Sequence, residues 1–250
     1  MKCPGCQKEI PAHETRCLNC GRTLDTRKAK PAVRGKPTPS GPAGVSHEDV
    51  AKKLRLDYLH GVRDGTDRML ESIQDFCEQI RNPKLSANEM LDLAAKLIHA
   101  QFHIREISMA MKSPLDGLYR YVTMRGMRAQ VWANHQGLSY TEEQLFDNAK
   151  YKGTQISNYT KLYLAEDHPY DEVEKHTYSE HLMSASVRKT LSDSIEGDYL
   201  DTVFFGPDSR ILGWIECSGT WEDKLPDARM IRYIEIVASL LGFALSRNEP

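Results

Sequence analysis

The stretch YLDTVFFGPDSRILGWIECSGTWEDKLPDARMIRYIEIVASLLGFAL, Tyr199–Leu245, decides the fold. Its first half alternates in twos. "YLDTVFF" (Tyr199–Phe205) and "ILGWIECSG" (Ile211–Gly219) flank the turn residues "GPDSR", which predicts an antiparallel hairpin. The period then changes. Pro226 opens a helix that carries Ile234, Val237, Leu241 and Ala244 on one face. A hairpin followed directly by a helix with one apolar face implies that the helix lies on the sheet.

Moving toward the N-terminus, the same elements recur in reverse. "EISMAMK" (Glu106–Lys112), the turn "SPLDG" and "LYRYVTMRG" (Leu118–Gly126) read as a second hairpin. Before it, Ser86 with Glu89 three residues later forms a capping box. That box starts "SANEMLDLAAKLIHAQF", whose Met90, Ala94, Leu97, Ile98 and Gln101 share one face. Between the hairpins, "GTQISNY" (Gly153–Tyr159) is expected to be a short strand. The order helix, hairpin, irregular middle, hairpin, helix is that of an α+β domain, with helices gathered on an antiparallel sheet.

On these two hairpins and the closing helix, residues about 86–247 resemble a GAF domain, the small-ligand sensor fold related to PAS. The resemblance is one of pattern. It implies a dimer-forming helical layer on one sheet face and a ligand cavity under loops on the other. The motifs of the known subtypes do not fit this sequence. The dispersed Asn-Lys, Phe, Asp-Glu signature of cyclic-nucleotide-binding members is not present in order. Bilin-binding members often use a Cys-His pair, and the chain has no such dipeptide. Methionine sulfoxide reductase members need several pocket cysteines. Here only Cys217 falls in the domain, and one thiol cannot form the internal disulfide of such a cycle.

Cys217 is three residues from Trp214, so the two face opposite sides of the last strand. It reads either as a buried inert thiol or as a ligand-binding or redox residue, haem ligation included. The segment Leu164–Asp198, acidic and holding His168, His176 and His181, is where a GAF-like domain would carry its lid. His99 and His103 are four apart on one helix side. Without a Glu after His99 they do not form a metalloprotease pair and read as structural. No catalytic residue is assigned.

Ahead of the domain, Ser46 with Asp49 suggests a helix start, and helix is expected to Asn82–Pro83. Leu59, Val62, Thr66, Met69, Ile73, Phe76 and Ile80 alternate gaps of three and four, a heptad seam. Its two uses are a homodimer contact or packing on its own domain. Cys77 beside the seam reads as core.

The first twenty residues contain Cys3, Cys6, Cys17 and Cys20, two CxxC knuckles ten residues apart. Each two-residue gap lets one turn set two sulfurs about 2.3 Å from a single ion, and two knuckles complete a tetrahedron. One zinc per chain is expected, with iron the rival. Residues 1–24 resemble the short zinc ribbons of many cytosolic proteins. All four coordination positions come from protein, which implies a structural rather than a catalytic metal. "DTRKAKPAVRGKPTPSGPAGV" (Asp25–Val45) has the composition of a disordered basic linker.

Charge divides the chain. Residues 1–45 hold nine Lys/Arg against three Asp/Glu, a net of +6, while the remainder holds 24 against 32, a net of −8. Nucleic acid is therefore a candidate partner only for the N-terminal part. The most apolar window, Ile234–Leu245, contains Glu235 and is too short to span a bilayer. No signal-peptide pattern is seen, so a cytoplasmic protein is expected, and paired cysteines there read as metal ligands. No kinase, cyclase, phosphodiesterase or helix-turn-helix signature is found.

The sequence thus predicts four parts: a zinc ribbon (1–24), a linker (25–45), an amphipathic dimerising helix (46–82) and a GAF-like sensory domain (83–250). The expected role is regulatory and non-enzymatic, with output through an unidentified protein partner. Two alternatives stand beside it. One is a nucleic-acid-binding ribbon with the domain as dimer scaffold; the other is a small redox enzyme using Cys217.

Overall fold

The computed structural model describes residues 9, 47–60, 65–145, 147–167, 170 and 172–247. The chain divides into two units, Met1–Gly61 and Val62–Pro250. In the first, helix α1 (His47–His60) exposes Val50, Leu54, Leu56 and Tyr58. The cysteines Cys3, Cys6, Cys17 and Cys20, the linker and the Ser46 cap all lie outside the described residues.

The second unit holds a six-stranded antiparallel sheet in the order β2-β1-β6-β5-β4-β3. β1 (Ile107–Lys112) and β2 (Tyr119–Arg125) form the first predicted hairpin, and β5 (Tyr199–Phe205) and β6 (Ile211–Cys217) the second. β1 pairs with β6, joining the hairpins at the sheet centre. The expected strand at Gly153–Tyr159 is shorter than predicted: β3 is Thr154–Gln155. After a turn, β4 (Thr160–Tyr163) is the strand that pairs with β5. The Ser157 hydroxyl accepts from the Tyr159 and Thr160 amides. That local bonding bends the chain out of the ladder where the sequence pattern continued it.

Two helices pack against one face, α3 (Ala87–Gln101) and the long C-terminal helix α6 (Ala228–Ser246), and α2 (Gly65–Ile80) lies on those two helices. Ser86 caps α3 with the reciprocal Glu89 contact that its spacing predicts. The last helix begins later than Pro226. Asp227 is its N-cap, its carboxylate accepting from the Met230 amide at 2.8 Å, an acceptor that proline does not offer. Its Ile234, Val237, Ala238, Leu241 and Ala244 are buried with Leu91, Ala94, Ile98, Ile107, Met109, Ile215 and Cys217. Gly242 makes this fit possible, because a Cβ there would stand 2.2 Å from the Phe205 carbonyl oxygen.

The heptad seam meets this core. Ile73, Phe76 and Ile80 are buried among α3 and α6, so of the two uses open in the sequence the C-terminal half of the seam takes the intramolecular one. Residues 61–64 lie outside the description, so continuity between α1 and α2 does too. Among the described residues no helix is long and apolar enough to cross a membrane.

Candidate functional site

The opposite face of the sheet is aromatic and acidic. Strand alternation turns Tyr199 and Asp201 of β5, Trp214 and Glu216 of β6, Tyr121 of β2 and Tyr163 of β4 away from the helical layer. Two elements roof this face. Helix α4 (Ala129–Gln136) follows β2 and supplies His135, and the segment Leu164–Asp198 supplies Tyr170, Glu174 and Tyr178. Between sheet and roof lies a cavity of about 100 Å³. A groove of about 340 Å³ adjoins it at Tyr163, Asp201 and Trp214.

The roof is tied down at its base. The Asp198 carboxylate, fully buried, accepts from the Ala165 and Ile195 amides and from the Arg188 guanidinium at 2.9 to 3.0 Å. Arg188 also reaches Glu166 through two bonds of 2.9 Å. Both ends of the segment are thereby held at one carboxylate, which makes a closed loop standing over the sheet. Gly197 has φ +92°, and a Cβ there would lie 2.8 Å from the Tyr170 hydroxyl.

On the sheet side of the cavity Glu216 gathers the donors. Its carboxylate accepts from the Tyr121 hydroxyl at 2.6 Å and the Ser108 hydroxyl at 3.1 Å, and lies 3.5 Å from His135 Nε2. Burial disfavours the charge, but these bonds outweigh it and hold the Glu216 carboxyl below its usual range. His135 shows the reciprocal shift. Burial works against the imidazolium, yet Glu216 and the Val131 carbonyl, 3.0 Å from Nδ1, raise it above its ordinary value.

Asp201 differs. Its Cα partner across the ladder is Glu216. Its Oδ1 is shut off from solvent and has no hydrogen-bond partner within the protein, as do Trp214 Nε1 and the Tyr170 hydroxyl. Burial first, then the Glu216 charge, push the Asp201 carboxyl well above its usual range. Lys161, its partner on β4, instead directs its Nζ to Asn148 Oδ1 and the Tyr151 carbonyl. On the roof side, Glu174 accepts from the Tyr140 and Tyr151 hydroxyls at 2.8 and 2.9 Å.

The structure separates Cys217 from this cavity. It is 1% exposed in the helix-side core, and burial raises its thiol strongly. The thiolate needed for redox chemistry or metal ligation is disfavoured there. His99 Nδ1 donates to the Ile104 carbonyl at 2.8 Å, and His103 stacks on Trp221 at 4.6 Å. His168 lies outside the described residues, His181 is exposed, and among the described residues no three His, Cys, Asp or Glu form a metal-ready group.

Sequence reading placed the lid segment but missed the cavity's own residues. The available signal was a charge inside each apolar strand, Asp201 in "YLDTVFF" and Glu216 in "ILGWIEC", together with the tyrosines on the same parity.

No protein-family model matches the sequence, and no curated protein matches it. Solved structures do align. Free methionine-R-sulfoxide reductase from Neisseria meningitidis, in complex with its substrate, aligns at 12% identity and TM-score 0.47 over 75% of this chain and 95% of its own. The phycocyanobilin-bound GAF domain of a cyanobacterial phytochrome gives 12% and 0.47 over 72% and 94%. The GAF domain of an Acinetobacter phosphoenolpyruvate-protein phosphotransferase gives 11% and 0.46 over 71% and 92%. At these values the likeness concerns general architecture and says nothing of ligand or activity.

Proposed function

We propose that this chain is a regulatory protein whose GAF-type domain senses a small ligand in the cavity between the sheet and the Leu164–Asp198 roof. The observation that carries the reading is the set of unpartnered polar atoms on Asp201, Trp214 and Tyr170 around one roofed cavity. Buried polar groups are ordinarily satisfied, and these three belong to residues that line one cavity, where a bound molecule would supply partners. No covalent chemistry is assigned, since Cys217 faces the other side of the sheet.

Output in this reading passes through the helices and the N-terminal segment. Ile236, Leu240 and Phe243 run along one exposed to half-exposed stripe of α6, which supports a homodimer. Cys3, Cys6, Cys17 and Cys20 would hold one zinc, folding a ribbon that engages a protein partner. Ligand binding would shift the roof and the helical layer, and so what the tethered ribbon can reach.

The test is a thermal-shift screen of small polar metabolites on the full chain and on Thr177→Phe, which fills the cavity from the roof. A metabolite that stabilises the wild type and not the variant supports the reading. Stabilisation of both alike, or of neither across the screen, removes it. Metal analysis of the full chain should give one zinc per chain, and Cys6→Ser should lose it.

A further inference from the structure

Resting on the sensory reading above, we propose that the cavity takes a small organic cation, an amine or quaternary ammonium carrying one acceptor oxygen.

Charge supports the class. Glu106, Glu174, Glu196, Asp198, Asp201 and Glu216 line the cavity, against Arg105 and His135. The cations are already engaged: Arg105 pairs with Asp223, His135 with Glu216, and Arg188 answers Asp198 from the roof. Asp201 has no cation within ion-pair distance among the described residues, and its Oδ1 is orphaned. An anion would meet the Glu216 charge at the floor, and an apolar ligand would leave Asp201 unanswered.

The walls fit the same class. Tyr163 stacks on Tyr199 at 4.5 Å and 11° beside Asp201 and already carries the Lys161 Nζ 4.9 Å from its ring centroid, so the rings open to a ligand are Tyr121 and Tyr140, which stand edge-on to Trp214 at 5.7 and 5.9 Å. Ring faces carry negative potential, and a cage of tyrosine and tryptophan is a known way to hold an ammonium group without a full shell of water. Trp214 is 3% exposed and its indole N–H is unpartnered, which calls for an acceptor on the ligand. About 100 Å³ is several times what one water needs, and the groove beyond Asp201 can receive a longer tail.

The proton balance is consistent with this. Asp201 is faced by Lys161 and Tyr163 from β4, Tyr199 on its own strand, Glu216 and Trp214 from β6, and Tyr151 and Glu174 from the roof side. A cation placed there favours the carboxylate, so binding releases the proton that burial and Glu216 keep on Asp201.

The experiment is calorimetric titration of the full chain with choline, tetramethylammonium, ethanolamine and putrescine, beside 3,3-dimethyl-1-butanol, the neutral isostere of choline. At least one cation is expected to bind saturably, choline at least tenfold more tightly than the isostere. Asp201→Asn, which keeps shape and fold, should weaken cation binding at least tenfold. Trp214→Phe, which keeps a ring but removes the N–H, should weaken choline more than tetramethylammonium, which has no acceptor. Equal binding of choline and the isostere, or no effect of Asp201→Asn, overturns the proposal. If no cation binds while another metabolite stabilises the wild type and not Thr177→Phe, the cation class is wrong and the sensory reading stands. If nothing binds in either experiment, both fall.

Discussion

Asp201 and Glu216 are direct cross-strand partners on β5 and β6, two carboxyls side by side on the floor of one cavity. Like charges in this position repel, and the protein resolves the conflict asymmetrically. Glu216 receives the donors and keeps the charge, while Asp201 receives none and keeps the proton.

This asymmetry makes Asp201 a pH-dependent burden. Below the usual aspartate range the residue is protonated in both states and has no differential effect. As pH rises the unfolded chain loses this proton first, so the wild type falls behind Asp201→Asn by about 1.4 kcal/mol per pH unit until the folded carboxyl ionises. Thermal melts from pH 4 to pH 8 should show the variant gaining on the wild type, by about 3 °C for each kcal/mol. Parallel curves would show that Asp201 titrates normally.

Glu216→Gln should act in the opposite sense. It strands His135 and weakens the bonds from Tyr121 and Ser108, a loss of about 3 kcal/mol in denaturant unfolding. The deficit should be greatest near pH 6. Glu216, with its lowered value, contributes above the ordinary carboxylate range and loses that contribution as pH falls. His135, with its raised value, contributes most below the ordinary histidine range and loses its contribution as pH rises through its folded value.

The roof depends on one carboxylate. Asp198→Ala releases the Ala165 and Ile195 amides and leaves Arg188 with only Glu166 and the Asp193 carbonyl, at a cost of about 3 kcal/mol. Hydrogen exchange should quicken across residues 164–198 before it does so in β1 or β6. Uniform quickening through the whole sheet would mean that the roof is not a separable element.

Cys217 should be silent. In the native protein iodoacetamide should leave it unmodified, with labelling only on unfolding, as its helix-side burial requires. Cys217→Ser should leave ligand binding in the cavity unchanged. Rapid native labelling, or lost binding in the serine variant, would return Cys217 to the site.

Much of the fold was legible because its elements carry strong local signals. The hairpins alternate in twos around Pro/Gly/Asp turns, and the Ser86–Glu89 box starts α3 as its spacing predicts. β4 and α4 were not legible. β4 has four residues and is fixed by pairing with β5, a long-range cause that no local window contains, and α4 has no side-chain cap and a weakly apolar face. The cavity was half legible: the lid followed from the resemblance to a GAF domain, but the Asp201–Glu216 contact depends on strand register across a turn.

The most direct measurement follows the Trp214 indole N–H resonance during titration with a metabolite that stabilises the protein. The account predicts a saturable shift of Trp214 while Trp221, which stacks on His103, stays in place. Stabilising ligands that move Trp221 and leave Trp214 still would contradict it, placing the sensory site elsewhere on the domain.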